Sequence, residues 1–169
     1  MTHRGLLHHL IIVVTNVSRS SPFYGPMLRY FGYGLGENSK THENWKRWDL
    51  NTPHEISIVQ ANPGLSAIKH IKGAVGHHHH LAFCALDKKD VDDFHANILV
   101  RLEKKGLCTI ENPPCECPEY GKGYYATFFK DPDNLKYEFV INPNFLKLKS
   151  QHSKPVRNKI VRATSISVG

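Results

Sequence analysis

The sequence predicts an α+β domain, and two observations carry that prediction: an internal duplication, and within each copy a hydrophobic period that changes from strand to helix and back. Laid over one another from a histidine, residues 9–30 and 80–101 coincide at three offsets. His9 opens Leu10-Ile11-Ile12-Val13-Val14 and His80 opens Leu81-Ala82-Phe83-Cys84-Ala85; Asn16 and Asp87 stand seven residues on, and Phe23 and Phe94 fourteen on. Each apolar run has the length of a buried strand.

After Asp87 the period lengthens. Val91, Phe94, Ile98 and Leu102 fall at three- and four-residue steps, which predicts a helix capped by Asp87 and ending before Gly106. In the first copy Ser21 is read as the cap with Pro22 at the first helical position, and Pro26 then makes this helix short or bent. Each helix is followed by short strands. Tyr124–Phe129 and Leu135–Ile141 flank Asp131-Pro132-Asp133-Asn134, a hairpin turn by composition; Trp45–Leu50 and Glu55–Val59 flank Asn51-Thr52-Pro53-His54 in the same way. Ala61-Asn62-Pro63 and Ile141-Asn142-Pro143 close the two copies alike. The order is strand, helix, strands, twice: modules at about 6–63 and 77–143 joined by 64–76, in one domain spanning 1–143.

The remaining residues, 144–169, are read as a flexible tail. The chain carries 22 basic and 15 acidic side chains, but six of the basic ones (Lys147, Lys149, Lys154, Arg157, Lys159 and Arg162) lie in this segment, which holds no acid. The positive charge is thus a property of the tail. With no aromatic residue after Phe145 on which a base could stack, nucleic acid is not the expected partner. No run approaches the ~20 apolar residues of a membrane span, and Leu10–Val14 is too short for a secretory core. Cys84, Cys108, Cys115 and Cys117 are too sparse for a disulfide framework. Free thiols in a cytoplasmic protein are expected, ahead of a zinc site at Cys115 and Cys117.

The candidate chemistry lies on strand faces. On the last strand Tyr137, Phe139 and Ile141 share the apolar face, so Glu138 points to the opposite, cavity side, where a lone carboxylate near a core requires a cation or water. His9 and His80 occupy equivalent repeat positions. Two imidazoles and a carboxylate suit one divalent iron, manganese, nickel or zinc ion with positions left open for substrate, and open positions mean catalysis.

Three stretches resemble the vicinal-oxygen-chelate superfamily, which groups glyoxalases, bleomycin resistance proteins and extradiol dioxygenases. They are His9–Val14 with Ser20 and Phe23-Tyr24; Gly76 through His79-His80-Leu81-Ala82-Phe83 to Asp90-Val91-Asp92; and Gly123-Tyr124-Tyr125 through Asp131-Pro132-Asp133 to Tyr137-Glu138. The resemblance implies two tandem βαβββ modules forming an open, barrel-like cavity of mixed sheets. It places metal on His9, His80 and Glu138, with Glu138 also catalytic, and makes a homodimer the expected assembly. A fourth ligand falls on the strand spanning Glu55 to Val59. Glu55 is the candidate, although Glu55 and Ser57 share one face and the closing of the repeat puts Ile58 opposite Glu138. Tyr120, Tyr124 and Tyr125 are expected to rim the cavity and touch substrate.

The function expected is therefore that of a metal-dependent lyase, isomerase or dioxygenase whose ion chelates two neighbouring oxygens of a small molecule. The reactions implied by the resemblance include isomerisation of a glutathione hemithioacetal, epimerisation beside a thioester, catechol ring cleavage and thiol addition to an epoxide antibiotic. The alternative is a metal-free protein of the same fold that binds a small molecule or antibiotic. It predicts that His9, His80 and Glu138 do not converge.

Overall fold

In the computed structural model, which describes residues 7–49, 52–66 and 70–143, the first apolar run is strand β1 (His9–Val14). Its side chains alternate: Ile12 and Val14 are 5% and 1% exposed, whereas Ile11 and Val13 are 53% and 63% exposed. Helix α1 (Val17–Tyr30) follows, and its start corrects the expected cap at Ser21. Asn16, the repeat counterpart of Asp87, is the cap, its side chain accepting the Arg19 amide at 2.9 Å. Pro22 and Pro26 both lie inside the helix. It runs through them because Phe23, Tyr24, Met27 and Leu28 are fully buried; four such side chains at roughly 1.5–3 kcal/mol each offset two internal prolines at roughly 3 kcal/mol each.

Strands β2 (Gly34–Asn38), β3 (His42–Asp49) and β4 (Thr52–Gln60) complete the first module in the sheet order β1-β4-β3-β2. β1 and β4 run parallel, and the other neighbours are antiparallel. The turn expected at Asn51–His54 is tighter than its residue types suggest. Pairing continues down to Asp49↔Thr52, which puts Pro53 opposite Trp48 and His54 opposite Arg47 inside the hairpin; Leu50 and Asn51 lie outside the described residues. Proline is tolerated there because β1 first meets β4 at His9↔Glu55, so at Pro53 the strand has one neighbour.

The second module repeats the plan. Strand β5 (Leu81–Cys84) leads to a helical stretch that begins as α2 (Lys88–Phe94), widens to a π turn (His95–Leu99) and ends as α3 (Val100–Glu103). Asp87 caps it as expected, accepting the Asp90 amide at 2.8 Å. Strands β6 (Thr109–Glu116), β7 (Tyr125–Lys130) and β8 (Lys136–Ile141) give the order β5-β8-β7-β6, again with the outer first strand parallel to the last. The β7–β8 turn is held by Asp131, whose Oδ1 accepts the amides of Asp133 and Leu135 at 2.9 and 2.8 Å. Asn134 takes the left-handed conformation there, φ 72°, which asparagine tolerates.

One core serves both modules. Phe31 of the first module stacks against Phe83 and Phe139 of the second, each at 4.8 Å between centroids. Phe23 packs on Phe129 and Tyr137. At its centre is a buried polar chain in which the Tyr24 hydroxyl donates to Asp131 Oδ2 at 2.5 Å and lies 2.9 Å from the Tyr137 hydroxyl. Burial, opposed in part by these hydrogen bonds, pushes Asp131 up from 3.8 to about 6. The folded chain therefore binds this proton more tightly than the unfolded chain. Its stabilising contribution is complete below about pH 4 and is lost as pH rises through about 6. Denaturant melts of Asp131→Asn across this window should show a flatter pH dependence than the parent, by up to about 3 kcal/mol; parallel curves would show that Asp131 is not the group responsible.

Among the described residues, no helix is long and apolar enough to cross a membrane. The basic segment 144–169 lies outside the described residues.

Candidate functional site

Because Tyr137, Phe139 and Ile141 are committed to the core, Glu138 faces the other side of β8, on the surface formed by Ala82, Phe128 and Ala126 of the neighbouring strands. It is 2% exposed. Both of its oxygens are engaged. Tyr124 donates its hydroxyl to Oε1 at 2.5 Å, and His80 Nε2 stands 3.3 Å from Oε2. Burial and the adjacent carboxylate raise the Tyr124 pKa well above its ordinary value, so this residue holds its proton and acts as a donor. His79 Nδ1 contacts His80 Nδ1 at 2.7 Å and helps fix the ring. Tyr120 packs against Tyr124 with ring centroids 5.1 Å apart. Tyr125 goes the other way: its hydroxyl donates to Asp92 of α2 at 2.8 Å and Lys88 lies over its ring, on the helix side of the sheet.

The equivalent surface of the first module carries His9, Ile11 and Val13 of β1 beside Glu55, Ser57 and Val59 of β4. The register settles which residue corresponds to Glu138. Ile11 faces Ser57 as Ala82 faces Glu138, each two residues after its histidine. Ser57 therefore occupies the position, and Glu55 sits one pair earlier, directly opposite His9. The closing motifs pointed to Ile58 because the first module has one more residue between this position and its Asn-Pro; Ile58 itself is fully buried on the core side. Ser57 accepts from Asn44 Nδ2 at 3.2 Å and donates to Glu55 at 3.3 Å. Asn44 Oδ1 is buried with no partner among the described residues.

The structure thus brings together His80, Glu138 and Tyr124 and holds His9 elsewhere. The reason is the direction of β1. Its far end meets the second module, where Thr15 donates through its amide and hydroxyl to Asp133 at 2.7 and 2.6 Å. His9 is at the other end, about 20 Å back along the strand. Among the described residues, no three His, Cys, Asp or Glu side chains are placed to hold a metal ion. The thiols do not supply the shortfall: Cys115 and Cys117 lie 3.9 Å apart, and Cys108 is in the core donating to the Leu99 carbonyl. A cavity of about 660 Å³ is lined by Ile11, Val13 and Val59 of the first module, His70 and His77 of the linker and Asp131, Asp133 and Leu135 of the second module; neither His80 nor Glu138 lines it.

No family model matches the chain. It is 29% identical over 134 residues to the uncharacterized protein YqjT of Bacillus subtilis (strain 168), a match covering 79% of this chain and 97% of the relative. Among solved structures, a glyoxalase/bleomycin resistance protein from Albidiferax ferrireducens T118 superposes with a TM-score of 0.59 at 25% identity, over 79% of this chain and 97% of that one. A candidate glyoxalase from Bacillus halodurans superposes with a TM-score of 0.64 at 24% identity, over 81% and 96%. These likenesses join the duplicated module and its sheet order to one fold. The chain has the fold of the vicinal-oxygen-chelate superfamily.

On this fold the candidate donors lie on the two outward sheet surfaces. For a vicinal-oxygen-chelate metal site, His80 and Glu138 are a fitting nitrogen and oxygen pair, already in contact and backed by a donor hydroxyl. The described residues of a single chain bring together two candidate donors, His80 and Glu138. Sequence reasoning found the pair through the repeat and the parity of β8, but gave no sign that the two would pair directly. It also missed a ladder on the same surface, in which Glu111 Oε1 and Oε2 take Lys130 and Lys136 at 2.7 Å each.

Proposed function

We propose that this protein is a metal-dependent vicinal-oxygen-chelate enzyme, of lyase, isomerase or dioxygenase type, whose site is assembled between two copies of the chain. Each site would take His80 and Glu138 from one protomer and His9 of the partner subunit. The observation that carries this reading is the pairing of a nearly inaccessible carboxylate with a histidine on the outward sheet surface, while the repeat-equivalent His9 faces outward about 20 Å along β1 from the intramolecular junction. Around His9, Ile11 and Val13 are 53% and 63% exposed on a strand whose other side is core, and such a face suits burial against a second copy.

His80, Glu138 and His9 of the partner subunit would hold a divalent ion, which would supply Lewis-acid chemistry toward two adjacent oxygens of a small-molecule substrate. The chain's own groups do the rest. Glu138 is oriented by Tyr124 and His80, so its oxygens are placed before any substrate arrives. Tyr124 keeps a proton that it can redirect from Glu138 Oε1 to a developing oxyanion. Phe128, directly opposite Glu138, gives the surface an apolar wall. Glu55 and Ser57, on the face that His9 occupies, are the first module's candidates for a further donor.

A second reading is supported by two features, the first being that His9 does not join His80 and Glu138 within the described residues of one chain, as the metal-free alternative predicts. The second is that His80 and Tyr124 between them satisfy both oxygens of Glu138 without a cation, as a metal-free small-molecule binding protein would require. Elemental analysis of protein purified without an affinity tag or added metal, combined with sedimentation, separates the two. About one equivalent of iron, manganese, nickel or zinc per chain in a dimer is expected. No metal after anaerobic reconstitution would overturn the enzymatic reading in favour of the binding protein.

A further inference from the structure

The surface beside Glu138 carries more positive than negative charge, and that excess has a definite location. Lys130 of β7 and Lys136 of β8 are direct cross-strand partners, and both reach Glu111 of β6. The lysine side chains are only 29% and 18% exposed and that of Glu111 25%. Two ammonium groups share one carboxylate, leaving a net positive charge in a half-buried setting, where an unbalanced charge is costly. Each ammonium has three donors, and Glu111 takes one from each. Lys136 Nζ also stands 4.8 Å from the centre of the Phe128 ring. The carboxyl of Glu111 is pushed up by partial burial, but hydrogen bonds from Lys130 and Lys136 hold it below its ordinary value, so the counter-charge is fixed at one.

Lys136 is two residues from Glu138 on the same strand and the same face, about 7 Å away. The repeat does not explain it: with Ser57 matching Glu138, the first module has Glu55 at this position. We propose that Lys130 and Lys136, held apart by Glu111, form an anion-binding subsite beside Glu138 that takes a carboxylate or phosphoryl group. Its assignment to a substrate of the site rests on the function proposed above; the binding of the anion does not.

The test is residue-resolved NMR titration of the full chain with inorganic phosphate and, separately, with acetate, in the parent and in Lys136→Met, Lys130→Met and Glu111→Gln. Spatial resolution matters because the six basic residues after Asn144 also attract anions. Saturable shifts are expected at the amides around Glu111, Lys130 and Lys136. Either lysine variant should weaken them about tenfold or more, and Glu111→Gln, which removes the counter-charge, should strengthen them. The arm with the tighter binding identifies phosphoryl or carboxylate as the preferred group. Shifts confined to the tail, or affinities unchanged in both lysine variants, would overturn the subsite. Because the titration needs no metal and no turnover, it can fail while the metal site stands, and succeed while the metal site falls.

Discussion

Glu138→Ala should purify with almost no metal under conditions in which the parent carries about one equivalent, a loss of affinity on the order of 100-fold or more. The substitution removes the single carboxylate of the set and, with it, the acceptor for Tyr124 and the partner of His80. Because Glu138 is 2% exposed, loss of metal must be separated from loss of fold. Glu138→Gln provides that control: the amide keeps the shape and one acceptor oxygen, so the circular dichroism spectrum should be that of the parent while metal affinity falls. His80→Ala should lose metal as Glu138→Ala does, with a smaller cost to stability, because its side chain is 35% exposed. Full metal content in either alanine variant would remove the residue from the ligand set.

The second large effect is on the fold. Phe31 is 7% exposed and stacks on Phe83 and Phe139, so it couples the end of the first module's helix to the second module's sheet. Phe31→Ala should cost about 3–5 kcal/mol, the usual range for truncating a buried aromatic. For a chain of this length that lowers the unfolding temperature by on the order of 10 °C. Differential scanning calorimetry should still give one transition, since the modules share a core. Two separated transitions would show that the modules fold independently and that the shared core is weaker than its packing implies.

The parts of this fold legible in the sequence were those where a period or a cap leaves little choice. The alternation of β1 and β8, the Asp87 cap and the Asp131–Asn134 turn all came from residue types whose local conformations are restricted. The parts that were not legible are edge and junction features. β2 reads Gly-Leu-Gly-Glu-Asn and is exposed throughout; β6 holds Pro113 and Pro114 and shifts register twice. Both pair on one side only, so no apolar alternation marks them, and proline is tolerated in the latter. Helix α1 was placed five residues late at its start because Ser21-Pro22 is a good local start signal, overruled by the burial of Phe23, Tyr24, Met27 and Leu28.

At the site, parity alone placed Glu138 on the correct face. Matching Ser57 to it required the strand register, because one additional residue before the closing Asn-Pro of the first module shifts an alignment made from that end. The separation of His9 from His80 could not be read at all, since a repeat fixes the order of elements within a module but not which module faces which. The Glu111 ladder escaped notice because its three residues lie far apart in the chain and meet only across β6, β7 and β8.

The central claim is that a site needs His9 from one copy and His80 with Glu138 from another, and mixed dimers test it most directly. Chains carrying His9→Ala and chains carrying Glu138→Ala should each bind little metal alone. Refolded together, half the dimers are mixed and each has one intact site, so bound metal should return to about a quarter of the parent level. Metal no higher in the mixture than in the separate variants, with mixed dimers demonstrated by mass spectrometry, would contradict an intersubunit site.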